Sequence, residues 1–218
     1  MDLPEAQTPV TPQYDHTPLY CEENVYKLCK KLCSAGAADT EASNLFVVFI
    51  SNDKKQIPLW HQKASHRADG VILWDYHVIC IQKKENEKSP QVWDLDSTLP
   101  FPSPLASYVA ETFRPSFPLF SEFRRFYRIV HAPMFLRCFA SDRRHMKDSE
   151  GNWNAQPPPY DPIIAEDGAV HNLNEYMEIH SDDAVATIKA DLVNDVRNER
   201  LGVVVSETQI EEFFSLST

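Results

Sequence analysis

Glycine is scarce, with five in 218 residues against sixteen prolines, a balance that points to extended segments and irregular connections rather than long helices. No stretch approaches the ~18 consecutive apolar residues of a membrane helix. A basic footprint is missing too. The formal net charge is -11 and the pI about 5.1, which argues against a nucleic-acid binder. The five cysteines are odd in number and not spaced as a compact disulfide framework. Met1 to Tyr20 has no cationic segment followed by an apolar run, so it does not read as a secretory signal. Reduced thiols and a cytoplasmic or nuclear setting are therefore expected. No internal repeat is visible.

What is present suits one folded domain. Hydrophobic residues make up 43% and aromatics 11%, enough for a sizeable core and too much for global disorder. The acidic balance suits a soluble monomer and would attract cationic partners at long range. Residues 1–19, rich in Pro, Thr and polar residues, read as a flexible tail. From Cys21, the residues Val25, Leu28, Cys29, Leu32 and Cys33 recur with the spacing of an amphipathic helix. Glu22 and Glu23 suit its first turn, and Gly36 suits its end after Lys30 and Lys31.

Strand signals follow at Leu45–Ser51, at Ile57–Gln62 as its partner, at Val71–Gln82 and at Gln91–Asp96, the last two forming a hairpin across Lys83–Pro90. Pro100, Pro102 and Pro104 mark an extended connection. Helical segments are expected at 105–113, 120–126 and 182–198, and strands at 126–131 and 202–206. A long ordered loop spans 141–162. Ser206 and Gln209 have capping-box spacing, opening a helix through Phe214. The sum is one α+β domain over residues 20–218 with a mainly antiparallel sheet.

Cys21 lies where a loop becomes a helix. Unpaired N–H groups and the dipole there favour a thiolate and offer donors to an oxyanion. Cys29 and Cys33 lie on the apolar face and read as inert. A hairpin turning near residues 85–87 makes His77 and Asp94 cross-strand neighbours, so a carboxylate can orient the imidazole while its other nitrogen faces the thiol. Asp96 has the same parity as Asp94, and Asp75 shares a face with His77; spacing does not choose among them. A zinc site drawing on Cys29, Cys33, His61 and His66 lacks a second close pair, so no metal is expected.

The order and content of these segments resemble a family. Tyr20–Cys21–Glu22–Glu23–Asn24, Val48–Phe49–Ile50–Ser51–Asn52, Trp74–Asp75–Tyr76–His77–Val78 and Asp94–Leu95–Asp96 are similar to the eukaryotic protein N-terminal glutamine amidohydrolases. Leu99–Pro100–Phe101–Pro102, Phe139–Ala140–Ser141–Asp142–Arg143, His145–Met146–Lys147–Asp148–Ser149, Gly151–Asn152–Trp153 and Pro157–Pro158–Pro159–Tyr160 extend the likeness. It covers roughly residues 20–180 and 202–214. Residues 181–201 read as an insertion.

The resemblance implies a papain- or transglutaminase-like fold and a Cys-His-Asp triad at Cys21, His77 and Asp94; it is the family that selects Asp94 over Asp96. It implies conversion of N-terminal Gln to Glu with release of ammonia, on protein or peptide substrates, feeding the arginine N-degron pathway. No metal or organic cofactor is required. Asp75, Glu22 and Glu23 are candidates to bind the substrate's α-ammonium, Trp74 to shield the site, and Arg143, His145 and Lys147 to line the pocket. The triad equally supports a transglutaminase-like acyl transferase or a cysteine peptidase, and a catalytically silent adaptor for N-terminal residues is the non-enzymatic reading.

Overall fold

A computed structural model describes residues 14–85, 87 and 89–216. Helix α1 (Cys21–Ser34) leads into strand β1 (Leu45–Ser51), the ribbon β2 and β3 (Ile57–Leu59, Ile72–Trp74) and the hairpin β4 and β5 (His77–Gln82, Gln91–Trp93). Strand β6 (Ser103–Pro104), helix α2 (Leu105–Tyr108) and strand β7 (Phe126–His131) follow. Then come helices α3 (Ala132–Cys138), α4 (Leu173–Met177) and α5 (Ala190–Asn198), strand β8 (Val203–Ser206) and helix α6 (Ile210–Leu216).

A six-stranded antiparallel sheet, in the order β6-β5-β4-β1-β7-β8, divides the interior. Every residue of β1 is buried, because the strand is central and covered on both faces. Its alternation sends Leu45, Val47 and Phe49 into a core shared with α1, α3 and α4. Phe46, Val48 and Ile50 enter a second core with α2, α5 and α6. On the first face, Val25, Leu28, Cys29 and Leu32 of α1 meet Val78 and Cys80 of β4, as the helical spacing predicts.

Several expectations are corrected. Strand 57–62 does not pair with β1, whose two edges are taken by β4 and β7. Asn52 turns the chain away instead: its Nδ2 lies 2.9 Å from the carbonyl oxygens of Gln56, Glu122 and Arg124. β2 then pairs with β3 in a separate ribbon. The expected strand 71–82 breaks at Asp75–Tyr76, where the chain steps from ribbon to main sheet and Asp75 Oδ1 accepts the Tyr76 N–H at 3.0 Å.

The expected helix 182–198 starts only at Ala190, because Ala184 and Val185 run extended against Val204 of β8. Of the expected tail, residues 1–13 lie outside the described residues. Residues 14–19 are anchored at two points: Tyr14 sits edge-on to Trp93 and Phe101, and Thr17 exchanges two hydrogen bonds with the Asn24 side chain. The Ser206–Gln209 motif is present, with Gln209 Oε1 accepting the Ser206 N–H at 2.9 Å.

Gly202 feeds β8 at φ +57, and a Cβ there would stand 1.8 Å from the Ile129 carbonyl oxygen. Gly36 has φ +70 but open space around it. Gly202→Ala should therefore lose on the order of 3 kcal/mol or more, and Gly36→Ala about 1 kcal/mol from backbone strain alone. Urea unfolding of the two variants checks this; equal losses would refute the close-approach argument.

Candidate active site

The first turn of α1 is sunk into the protein. Cys21, Glu22, Glu23 and Asn24 are all buried, and the Asn24 N–H makes the first helical bond to Tyr20 O at 2.9 Å. The Cys21 Sγ lies 3.8 Å from Glu22 Oε2 and receives the backbone N–H of Val78, the residue after His77. Burial, then the Glu22 and Asp96 carboxylates, push the thiol well above its ordinary range, against the pull of the Val78 N–H. The helix-terminus argument predicts the opposite direction. It loses here because the sulfur is desolvated beside two acids. A thiol so placed is harder to ionise than a free one.

His77 opens β4 and is fully buried. Its Nε2 bonds Asp94 Oδ1 at 3.0 Å, and Nδ1 has no hydrogen-bond partner among the described residues. Trp74 stacks on the ring at 5.4 Å. Burial opposes the imidazolium, but the Asp94 charge and hydrogen bond outweigh it and raise the His77 pKa. Asp94 is held in turn by Tyr108 Oη, which donates to Oδ2 at 2.7 Å, and by the Asp96 N–H, which donates to Oδ1 at 2.9 Å. Against its desolvation, these bonds and His77 lower its pKa.

Geometry separates the two aspartates that spacing left equal. The β4–β5 ladder pairs Cys80 with Trp93 and stops there. Asp94 leaves the strand in a turn and reaches back to His77. Asp96 instead meets His16 Nε2, at 2.8 Å from its Oδ1.

Asp94, Asp96 and His77 present ligand atoms within 4.8 Å of one another, a donor set that could hold a divalent cation. Hydrogen bonds already engage each of the three residues. Among the described residues that grouping does not include Cys29, Cys33, His61 or His66. All five cysteines are free, and Cys29 Sγ lies 3.8 Å from Cys80 Sγ in the core.

A cavity of about 440 Å³ opens beside the thiol, lined by Cys21, Trp74, Asp75, Asp96 and His145 among others. Glu22 backs this wall: Tyr76 Oη donates to its Oε2 at 2.9 Å, and burial raises its pKa to about 7. His145 Nε2 stands 3.5 Å from Glu22 Oε1, and burial, then His171, lower the His145 pKa to about 4. Glu23 and Arg143 instead engage each other, in a bidentate pair at 2.8 and 2.9 Å. Lys147 lies over the Trp153 ring. His16, Tyr76 and Tyr108 were missed as contacts: His16 sits in a segment that reads as tail, and a tyrosine on a strand or helix reads as core.

The N-terminal glutamine amidase family model matches residues 16–214. The chain is 63% identical over 204 residues to the protein N-terminal glutamine amidohydrolase of Arabidopsis thaliana, covering 93% of this chain and 92% of that protein. It is 52% identical to that of Oryza sativa subsp. indica, covering 93% and 87%, and 39% identical to that of Homo sapiens, covering 78% and 82%.

Glu22 also sets a stability dependence on pH. Its pKa rises from an ordinary 4.5 to about 7, so the folded protein holds this proton more tightly than the unfolded chain does. The stability it contributes is complete below pH 4.5 and is lost as pH rises through 7. Glu22→Gln carries no such loss. Relative to the parent it should gain on the order of 3 kcal/mol between pH 4.5 and 8.5. Thermal melts of both proteins across that range give the comparison; a difference that stays flat with pH would contradict the assignment.

Proposed function

The chain belongs to the N-terminal glutamine amidase family, and from that premise we propose that it hydrolyses the side-chain amide of an N-terminal glutamine to glutamate and ammonia, with Cys21 as nucleophile, His77 as base and Asp94 as its partner. The observation that carries the residue assignment is the buried His77–Asp94 bond: it occupies Nε2 and leaves Nδ1 unpartnered, while the Cys21 sulfur rests on the next residue's backbone N–H.

The chemistry follows from the protonation states. Nδ1 of His77 takes the Cys21 proton as the sulfur attacks the side-chain carbonyl carbon, and Asp94 stabilises the imidazolium. The N–H groups opening α1 face the developing oxyanion. The imidazolium returns its proton to the departing nitrogen, ammonia leaves, and a γ-glutamyl thioester remains. His77 then draws a proton from water, hydroxide attacks the thioester, and glutamate is released with the thiol restored. Trp74, stacked on His77, shields the ring from bulk water.

A nucleophile that opens a helix packed on the antiparallel strand bearing the histidine supports a papain- or transglutaminase-like fold. The two cores share one sheet, which supports a single catalytic domain. No helix among the described residues is long and apolar enough to cross a membrane.

Cys21→Ala should abolish ammonia release from a Gln-starting peptide with the fold retained, whereas Cys29→Ala should stay active and lose about 1 kcal/mol or more of stability. His77→Ala should be as damaging as loss of Cys21, and the double variant no worse than either alone. Asp94→Asn should be severe and Asp96→Asn milder. Mass spectrometry of the peptide together with an ammonia assay reads all of these. A dead Cys29→Ala beside an active Cys21→Ala would overturn the assignment. A crosslinked or backbone-cleaved product would favour acyl transfer or peptidase action.

A further inference from the structure

Behind the cavity wall lies a second buried pair that the steps above leave unused. Glu22 is 0% exposed. Its Oε2 is held by Tyr76, but Oε1 has no hydrogen-bond partner among the described residues. His145 Nε2 faces that oxygen at 3.5 Å, and neither ring nitrogen of His145 has a hydrogen-bond partner. The same imidazole lines the cavity with Cys21. Three unpaired polar atoms on one buried wall mark a place for a guest, since such groups are ordinarily satisfied.

The charge of the wall states the sign of the guest. Glu22 stands behind it, and Asp75 and Asp96 lie on the cavity itself, against one exposed cation, Lys55. The buried guanidinium of Arg143 is already neutralised by Glu23. His145 resists protonation because it is buried, with its pKa lowered to about 4, so it cannot supply the missing positive charge. A cation from outside can.

We propose that the Glu22–His145 pair is the receptor for the substrate's α-ammonium: His145 Nδ1 accepts a hydrogen bond from it, Nε2–H donates to Glu22 Oε1, and the carboxylate supplies the charge. This rests on the deamidase reading. Glu22 Oε2 is 3.8 Å from the Cys21 sulfur, so nucleophile and receptor are close neighbours. The α-nitrogen and side-chain carbonyl carbon of one glutamine are four bonds apart, about 4–5 Å. The proposal therefore requires the ammonium to sit within that span of the carbon that Cys21 attacks. An internal glutamine presents a neutral amide and leaves the carboxylate unpaired.

The experiment compares ammonia release from a Gln-starting peptide and its N-acetylated form, in the parent protein and in Glu22→Gln, His145→Phe and Asp75→Asn. The parent should favour the free amine by ~100-fold or more in kcat/KM, as expected when a charged partner is removed from a buried site. Glu22→Gln and His145→Phe should each cut that preference to ~10-fold or less. They should do so by raising KM for the free amine, and the readout is the ratio between the two peptides, in which any change in Cys21 reactivity on loss of the Glu22 charge cancels. Asp75, an exposed carboxylate screened by water, should matter only a few-fold. Full preference retained in both pair variants, equal losses on both peptides, or loss of preference in Asp75→Asn alone would overturn the proposal.

Calorimetric binding of the same two peptides to Cys21→Ala reads the receptor without turnover. Selective binding of the free amine there, beside a parent that releases no ammonia, would keep the receptor and discard the deamidase reading. Equal binding of the two would discard the receptor. Should Glu22→Gln fail to fold, His145→Phe carries the kinetic test, with iodoacetamide labelling of Cys21 as the check on site integrity.

Discussion

The packing of α1 on β4 is the constraint from which the rest of the site follows. Val25, Leu28, Cys29 and Leu32 press onto Val78 and Cys80, close enough that two core thiols come within 3.8 Å. That contact brings the first residue of the helix, Cys21, onto the backbone of Val78 beside His77. It also drives the first turn out of water. Acids in a first turn ordinarily stay solvated and gain from the dipole. Here Glu22 and Glu23 are fully buried and each needs a partner from elsewhere in the chain.

Those partners organise the long loop. Arg143 answers Glu23 with two parallel hydrogen bonds and also donates to the carbonyls of Pro158 and Tyr160. One buried guanidinium thus ties both ends of an irregular segment to the helix that carries Cys21. Removing either member of such a pair typically costs about 3–5 kcal/mol, because the other is left charged and buried. Glu22 is answered more weakly, by a phenol and a neutral imidazole, and its pKa rises toward 7 while that of Asp94, facing His77, falls. Two buried carboxylates of one site are thereby shifted in opposite directions by their surroundings.

Much of this was legible in local pattern. The apolar spacing from Val25 to Cys33 predicts α1, the unbroken run Leu45–Ser51 predicts a central strand, and the Ser206–Gln209 motif predicts the start of α6. The hairpin puts His77 and Asp94 on one face by parity alone. The register and the choice between Asp94 and Asp96 were not legible, because the ladder ends at Trp93 and a turn, stabilised by the Asp94 side chain itself, does the aiming. The break of strand 71–82 was equally hidden. It arises where β1 ends and Asn52 turns the chain, so that β3 pairs with β2 while β4 stays on β1, a fact about distant segments.

The sequence by itself determined the class of fold, the family and the positions of a helix-opening thiol, a strand histidine and a nearby acid, because periodicity, capping and motif order are properties of neighbouring residues. The tertiary structure decided what those groups are chemically. Burial makes the Cys21 thiol harder to ionise where a helix terminus alone would make it easier. A contact spanning 120 positions commits Arg143 to Glu23. A segment that reads as tail brings His16 to Asp96. Desolvation and long-range pairing depend on what the whole chain packs around a group, and no local pattern carries that information.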